Sequence, residues 1–373
     1  MADNENNNKG EQNKHLVYIC GENERFLNQL ITVTGPFYNS VAFDDTSVLL
    51  DELETQLPKT LIVDADKAHS NAISTISKVR SHFKSDRVPI LLTISASRED
   101  LVTEANKFSG ITILDKPFRP IQLFNAISNE INANIEASWD LIEPIQREAL
   151  KLTLSSYNSI ANMIIDGEPL DYNNMAESCK PLVEAVKNQN YHELLRGLRD
   201  YDNYSYVHSM RVATFLSLFA DAIGIRGEDH MTLTTGGLLH DVGKMLLPYE
   251  LLNKSGRLNE YEFETLKCHV AYSVDFLYHT KGLPKGVSII AGQHHEKLDG
   301  TGYPHGLSGG KLNQLARMAT IIDIFSAMTD RRTYRESMQP EQAIALMSEM
   351  TGHLDHKLLS TFREMLLDSV EKD

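Results

Sequence analysis

The chain has 373 residues, more than one compact core usually holds, so two domains are expected. Hydrophobic residues at 42% and charged residues at 23% lie near the average for globular chains, which excludes a mainly disordered, collagenous or membrane-spanning protein. With 51 acidic against 36 basic side chains the formal charge is -15, which repels a nucleic-acid duplex and leaves only a small anionic ligand, held locally. Residues 1–14 are polar and Asn-rich and read as a disordered tail without the apolar stretch of a signal peptide. Cys20, Cys179 and Cys268 form no CxxC pair, so reduced thiols and a cytoplasmic location are expected. From Leu16 the pattern runs LVYI (16–19), a helix from Glu24, SVAF (40–43), a helix around Ser47 to Leu57, then TLIV (60–63). A helix from Ala68 to Phe83, PILLTI (89–94), a helix from Arg98 to Phe108, ITIL (111–114) and a helix from Ile121 follow. Apolar strands alternating with helices predict a doubly wound α/β domain over residues 15–131, with a ligand site at the carboxyl ends of its strands. Cys20, Asp64, Ser95 and Lys116 fall at those ends. Residues 132–154 read as part of one connecting helix from about Ile127, lacking Gly and holding a single proline, Pro144. Residues 155–373 read as an all-α domain interrupted by six glycines between Gly292 and Gly310. Asn259 with Glu262 predicts a capped helix start, and Pro340 a first-turn proline.

Asp64 after the third strand and Lys116-Pro117 after the fifth, with Thr93 or Ser95 between them, resemble the receiver domain of bacterial response regulators. The resemblance implies Asp64 as a phosphoacceptor contacted by Lys116. The family's Mg²⁺-holding acidic pair after the first strand is replaced by Cys20-Gly21, leaving Glu22 nearby. The alternative is therefore a degenerate docking or dimerisation module.

Eight of the 14 histidines fall between Ser205 and His305. His240-Asp241 lies in the apolar run TTGGLLHDVGKM, and Asp323 in MATIIDIFSAM. A buried carboxylate without a partner is costly, so metal ligation or a charge-paired structural network is required. His208, in YSYVHSMRVATF, faces inward with Val212 and Phe215 at helical spacing. His208, His240, Asp241 and Asp323 offer mixed nitrogen and oxygen ligands suited to Mn, Fe or Zn. His269 and the pair His294-His295 add three imidazoles, and seven ligands point to two ions sharing a carboxylate.

These blocks, with Gly243-Lys244, Glu296, the run DGTGYPHGLSG (299–309) and DRRTYR (330–335), resemble the HD-GYP subgroup of the HD phosphohydrolases over about Leu150 to Phe362. The resemblance implies a metal-dependent phosphodiesterase acting on a cyclic dinucleotide, chiefly cyclic di-GMP to linear pGpG and onward to GMP, through a metal-bridging hydroxide. Hydrolysis of 3',3'-cyclic GMP-AMP and a catalytically silent receptor are the alternatives. A triphosphohydrolase of the wider superfamily would leave His269 and His294-His295 unexplained. Carried over by position, His208, His240, Asp241 and Asp323 hold one divalent transition metal and Asp241, His269, His294 and His295 the second. Fe or Mn is expected, with Zn or Ni as other occupants. Tyr204 stands where members with a third metal carry Glu, so two metals are expected. Asp241 and Lys244 are the catalytic pair, and Lys244, Arg332 and Arg335 bind substrate phosphate. Val270 replaces a usual proline, a departure expected to touch a turn. The Gly-rich loop with Tyr303 implies diguanylate cyclase domains as partners, and a homodimer is left open.

Overall fold

A computed structural model describes residues 14–65, 71–82, 87–95, 98–252, 254, 256–330 and 337–370. The chain divides into two compact units, the first running to Ala137 and the second beginning at Ser138.

In the first unit β1 (Leu16–Cys20), β2 (Asn39–Phe43), β3 (Thr60–Ala65), β4 (Ile90–Ser95) and β5 (Ile111–Lys116) form one parallel sheet in the order β2-β1-β3-β4-β5. That order places the topological switch beside β1 and β3, as in flavodoxin-like folds of the receiver type. Helices α1 (Glu24–Thr34), α2 (Thr46–Thr55), α3 (Ala72–Ser81), α4 (Glu99–Ala105) and α5 (Pro120–Ser138) alternate with the strands. The three central strands bury nearly every residue, as a sheet covered on both faces must, whereas the edge strand β2 buries only Phe43. Several helices are shorter than their apolar pattern. The second closes at Thr55 instead of Leu57, the fourth spans Glu99–Ala105 instead of Arg98 to Phe108, and part of the predicted Ala68–Phe83 helix lies outside the described residues.

The predicted continuous helix over residues 127–154 is corrected. α5 stops at Ser138, a 3-10 turn covers Trp139–Leu141, and α6 (Pro144–Asp166) restarts with its proline in the first turn. Proline lacks an N–H and collides with the preceding turn, so it is favoured at a helix start and costly inside one. Trp139 supplies the other reason. Its buried indole donates to the Gly197 carbonyl at 3.0 Å and stacks on Tyr201.

The second unit is helical, continuing with α7 (Tyr172–Lys187), α8 (Tyr191–Gly197), α9 (Tyr204–Ala222), α10 (Gly227–Leu239), the short α11 (Tyr249–Leu252), α12 (Glu260–Tyr278) and α13 (Lys285–Gln293). α14 (Gln314–Thr329), α15 (Pro340–Ser348) and α16 (His356–Val370) complete it. Its core joins the inner faces of α9, α14 and α16 through Phe215, Phe325 and Phe362, whose rings meet edge to face at 5.0 to 6.3 Å. Asn259 and Glu262 form the predicted capping box at the start of α12, and Pro340 opens α15. No described helix is long and apolar enough to cross a membrane.

Candidate metal centre

Five helices and the turns at their ends deliver the seven side chains. His208 lies one turn into α9, His240 caps the C-terminus of α10, Asp241 opens the 3-10 turn Val242–Leu246, and His294 caps α13, with His295 next to it. Asp323 sits mid-way along α14. His269 is inside the capped helix α12, and Val270 is a buried residue of the same helix, so the substitution for proline falls within a helix and not in a turn. The helices approach closely because small residues line their contacts. A Cβ on Gly237 would lie 2.8 Å from the Cα of Ala213 on α9, and one on Gly243 only 2.1 Å from the carbonyl oxygen of His269.

The side chains converge in two groups. Asp241, His269, His294 and His295 bring ligand atoms within 4.8 Å of one another, and so do His208, His240 and Asp323. Asp241 lies between them. Its Oδ1 faces Nε2 of His269 at 3.1 Å and of His294 at 3.7 Å, while its Oδ2 faces Nε2 of His240 at 3.2 Å and of His208 at 3.7 Å. His208 Nε2 also lies 2.9 Å from Asp323 Oδ1, and His295 Nδ1 lies 3.8 Å from Asp323 Oδ2. All but His295 are buried.

Backbone carbonyls orient three of the rings. The Nδ1–H of His240 donates to Gly237 O at 2.7 Å, that of His269 to Leu266 O at 2.6 Å, and that of His294 to Ala291 O at 3.0 Å. A proton fixed on Nδ1 leaves the Nε2 lone pair as the ligand atom, the arrangement that outer hydrogen bonds impose on metal-binding histidines. Those three Nε2 atoms and Asp241 Oδ1 are buried without a hydrogen-bond partner. Buried acceptors left in this way call for a cation. Nitrogen and carboxylate donors of this mixture fit Mn, Fe or Zn, so the residues fit the implied metals.

The charges agree. Burial holds the His208 and His294 imidazoles below their ordinary range, assisted at both by the His240 charge and at His208 also by Lys244. His295 is pushed well below it by burial and by His294. For Asp241 burial works upward, but His240 and Lys244 outweigh it and hold the carboxyl well below the usual carboxylate range. Burial likewise opposes the charge on Asp323, but the hydrogen bond and charge of His208, with the charges of His295 and His240, together outweigh it and hold the carboxyl below its ordinary range. His240 moves upward because Asp241 beside it outweighs burial. The centre therefore gathers two carboxylates held towards the ionised form and three imidazoles, His208, His294 and His295, held towards the neutral form, the protonation states that ligands require.

Lys244 pairs with Asp241 Oδ2. Tyr204 lays its ring along His208, with centroids 5.7 Å apart and 19° between planes. Arg332 and Arg335 lie outside the described residues. Three contacts here are not read from the sequence, although Glu296 and Tyr303 are named in it. Glu296, fully buried, accepts the backbone N–H of His305 at 2.7 Å and of Leu307 at 2.8 Å, and so pins the Gly-rich loop. Tyr303 stacks on His295 with centroids 4.7 Å apart. Arg211, three residues after His208, reaches Thr329 Oγ1 at 2.8 Å and buried Asp330 at 3.8 Å, tying α9 to the end of α14. The signal for Glu296 was present as an acidic residue following two histidines at the loop's entrance.

In the first unit Asp64 is buried at the end of β3, paired with Lys116 and accepting the Thr93 hydroxyl at 2.7 Å. Thr93 and Asp64 are register partners, which selects Thr93 over Ser95 as the hydroxyl beside the carboxylate. A Cβ on Gly21 would lie 2.8 Å from that of Asp64, so this backbone leaves no room for a second carboxylate there. A cavity of about 320 Å³ beside it is lined by Cys20, Glu22, Asp44, Asp45 and Asp64. Burial, followed by Asp45, Asp44 and Glu22, pushes the Cys20 thiol up to about 12.

Residues 192–358 match the family model described as HD domain. The chain is 40% identical over 146 residues to 3'3'-cGAMP-specific phosphodiesterase 3 of Vibrio cholerae, covering 39% of this chain and 32% of that protein. It is 33% identical over 165 residues to a cyclic di-GMP phosphodiesterase of Pseudomonas aeruginosa, covering 44% of this chain and 40% of that protein. The chain thus spans well under half the length of these two relatives. A longer match, 25% identical over 332 residues, joins it to the cyclic di-GMP phosphodiesterase response regulator RpfG of Xanthomonas campestris pv. campestris, covering 88% of this chain and 80% of that protein.

Proposed function

From the match of residues 192–358 to the HD domain model, we propose that the chain is a metal-dependent phosphodiesterase that opens a cyclic dinucleotide. The observation that carries the reading is the division of Asp241, with one oxygen towards His269 and His294 and the other towards His208 and His240. A carboxylate so placed would be shared by two ligand sets, His208, His240 and Asp323 on one side and His269, His294 and His295 on the other, each of which would hold a divalent ion. When bound, such ions supply an activated water and polarise the phosphodiester.

The chain's own residues do the rest. The carbonyls of Gly237, Leu266 and Ala291 hold three imidazoles in one tautomer, so no reorientation accompanies the reaction. Lys244, with its charge fixed against Asp241 Oδ2, neutralises negative charge developing on the phosphoryl oxygens. Arg332 and Arg335 supply forked donors for the phosphates, the local positive charge that a chain of net charge -15 needs to attract an anion.

The preferred substrate is cyclic di-GMP, with linear pGpG as its first product; the relative that matches both units of this chain is named for cyclic di-GMP and supports the choice of substrate. Cyclic GMP-AMP is the second reading, favoured by 40% identity to the Vibrio cholerae enzyme. Chromatography of products after anaerobic incubation with each nucleotide tests both. Linear product supports the hydrolase and ranks the substrates. Tight binding without product turns the chain into a receptor and overturns the reading.

A further inference from the structure

The proposed centre explains where a phosphodiester would be cut, but not what holds the rest of the nucleotide. Beside it an aromatic path leads from the second ligand group to solvent. Tyr303 lies flat on His295, at 27° between planes, and the ring of Phe263 meets Tyr303 edge to face at 6.4 Å. The Lys267 ammonium stands over both rings, 4.8 Å from the Phe263 centroid and 5.5 Å from that of Tyr303, and is held there by Glu264 at 2.6 Å. Phe263 ends the path 43% exposed.

We infer that Phe263, braced by Tyr303 and Lys267, is the platform on which one purine base of the cyclic dinucleotide stacks. The inference rests on the hydrolase reading above and adds the base-binding residue to it. Every base offers an apolar π face, and aromatic side chains receive it without a demand for particular hydrogen bonds. Phe263 lies on α12, six residues before His269, so a rigid helix sets the distance from the stacked base to the second ligand group. Lys267 adds a positive charge beside the ring, in a chain otherwise short of positive charge and facing an anionic ligand. The pinned loop contributes as well. Glu296 fixes the backbone at His305 and Leu307, so Tyr303 stays against His295 and Phe263 keeps its edge-on neighbour.

The test compares the full chain with Phe263→Ala and Phe263→Tyr on cyclic di-GMP and cyclic GMP-AMP, recording KM, kcat, metal content and sedimentation. A base–aromatic stack is worth about 1–3 kcal/mol, so Phe263→Ala should raise KM about tenfold or more, with a smaller fall in kcat. Phe263→Tyr, which keeps the π face, should restore KM to within about threefold. Equal metal content in the variants places the effect at the base and not at the centre. An unchanged KM in Phe263→Ala, or a change of sedimentation without a change of KM, overturns the platform while leaving the hydrolase intact; the latter result would make Phe263 a contact between protein chains. Absence of hydrolysis by the unsubstituted chain overturns both.

Discussion

Gly243→Ala probes whether the two helical segments that carry Asp241 and His269 must touch. The added Cβ would meet three atoms of α12: the His269 carbonyl oxygen at 2.1 Å, the Ser273 nitrogen at 2.5 Å and the Ser273 hydroxyl at 2.8 Å. Ordinary contact begins near 3.4 Å, so the 3-10 turn and α12 must part by roughly 1 Å, because backbone atoms cannot rotate out of the way. The separation also breaks the hydrogen bond from Gly243 N–H to the Ser273 hydroxyl, now 2.9 Å long. Overpacking of this kind costs about 3 kcal/mol, at the upper end of its usual range. For a unit of this size that lowers Tm by about 6–12 °C. Because Asp241 and His269 lie only 3.1 Å apart across this contact, the shift should also reduce bound metal. Differential scanning calorimetry with metal analysis measures both. A variant that melts within 2 °C of the parent and binds the same metal would refute the reasoning.

Asp241→Ala should abolish metal loading and hydrolysis together, and anaerobically purified parent should hold close to two transition metals per chain; a value near one excludes the bridged pair. Glu296→Gln removes one charge-assisted acceptor from the two amides it now holds, at a cost of about 2 kcal/mol. Hydrogen exchange at His305 and Leu307 should then speed up roughly thirtyfold, and unchanged protection would show that something else fixes the loop. Lys116→Met strands the buried Asp64 carboxylate and should destabilise the first unit by about 3 kcal/mol in denaturant. Adding Asp64→Asn should recover part of that loss, and no recovery would place the lysine's role elsewhere.

The sheet was legible because its strands are short apolar runs between amphipathic segments, a pattern that a buried parallel sheet requires. The break at Trp139–Glu143 was not, because absence of glycine was given more weight than a proline whose place is a first turn. The helical ligands could be found individually, since His240, Asp241 and Asp323 interrupt runs that are otherwise apolar. Their grouping into two sets is implied by the family resemblance and not by spacing; its physical cause is the helix packing, which depends on Gly237 and Gly243 meeting backbone on α9 and α12. Residue spacing along one chain carries no record of such contacts.

Ring orientation also escaped the sequence, although its cause is local. His240 and His294 both stand at helix C-termini, where the last carbonyls lack intrahelical partners. A histidine at that position can donate its Nδ1–H to a carbonyl three residues earlier, and each of them does so, to Gly237 and to Ala291. Helix termination thus fixes the tautomer and turns Nε2 outward beyond the helix end. His269 obtains the same orientation inside α12 by bonding Leu266, a carbonyl three residues back, without a helix end. Helix ends and mid-helix positions therefore converge on one chemical state. That state follows from the distance between a ring nitrogen and a carbonyl one turn away, and not from the residue types that a sequence lists.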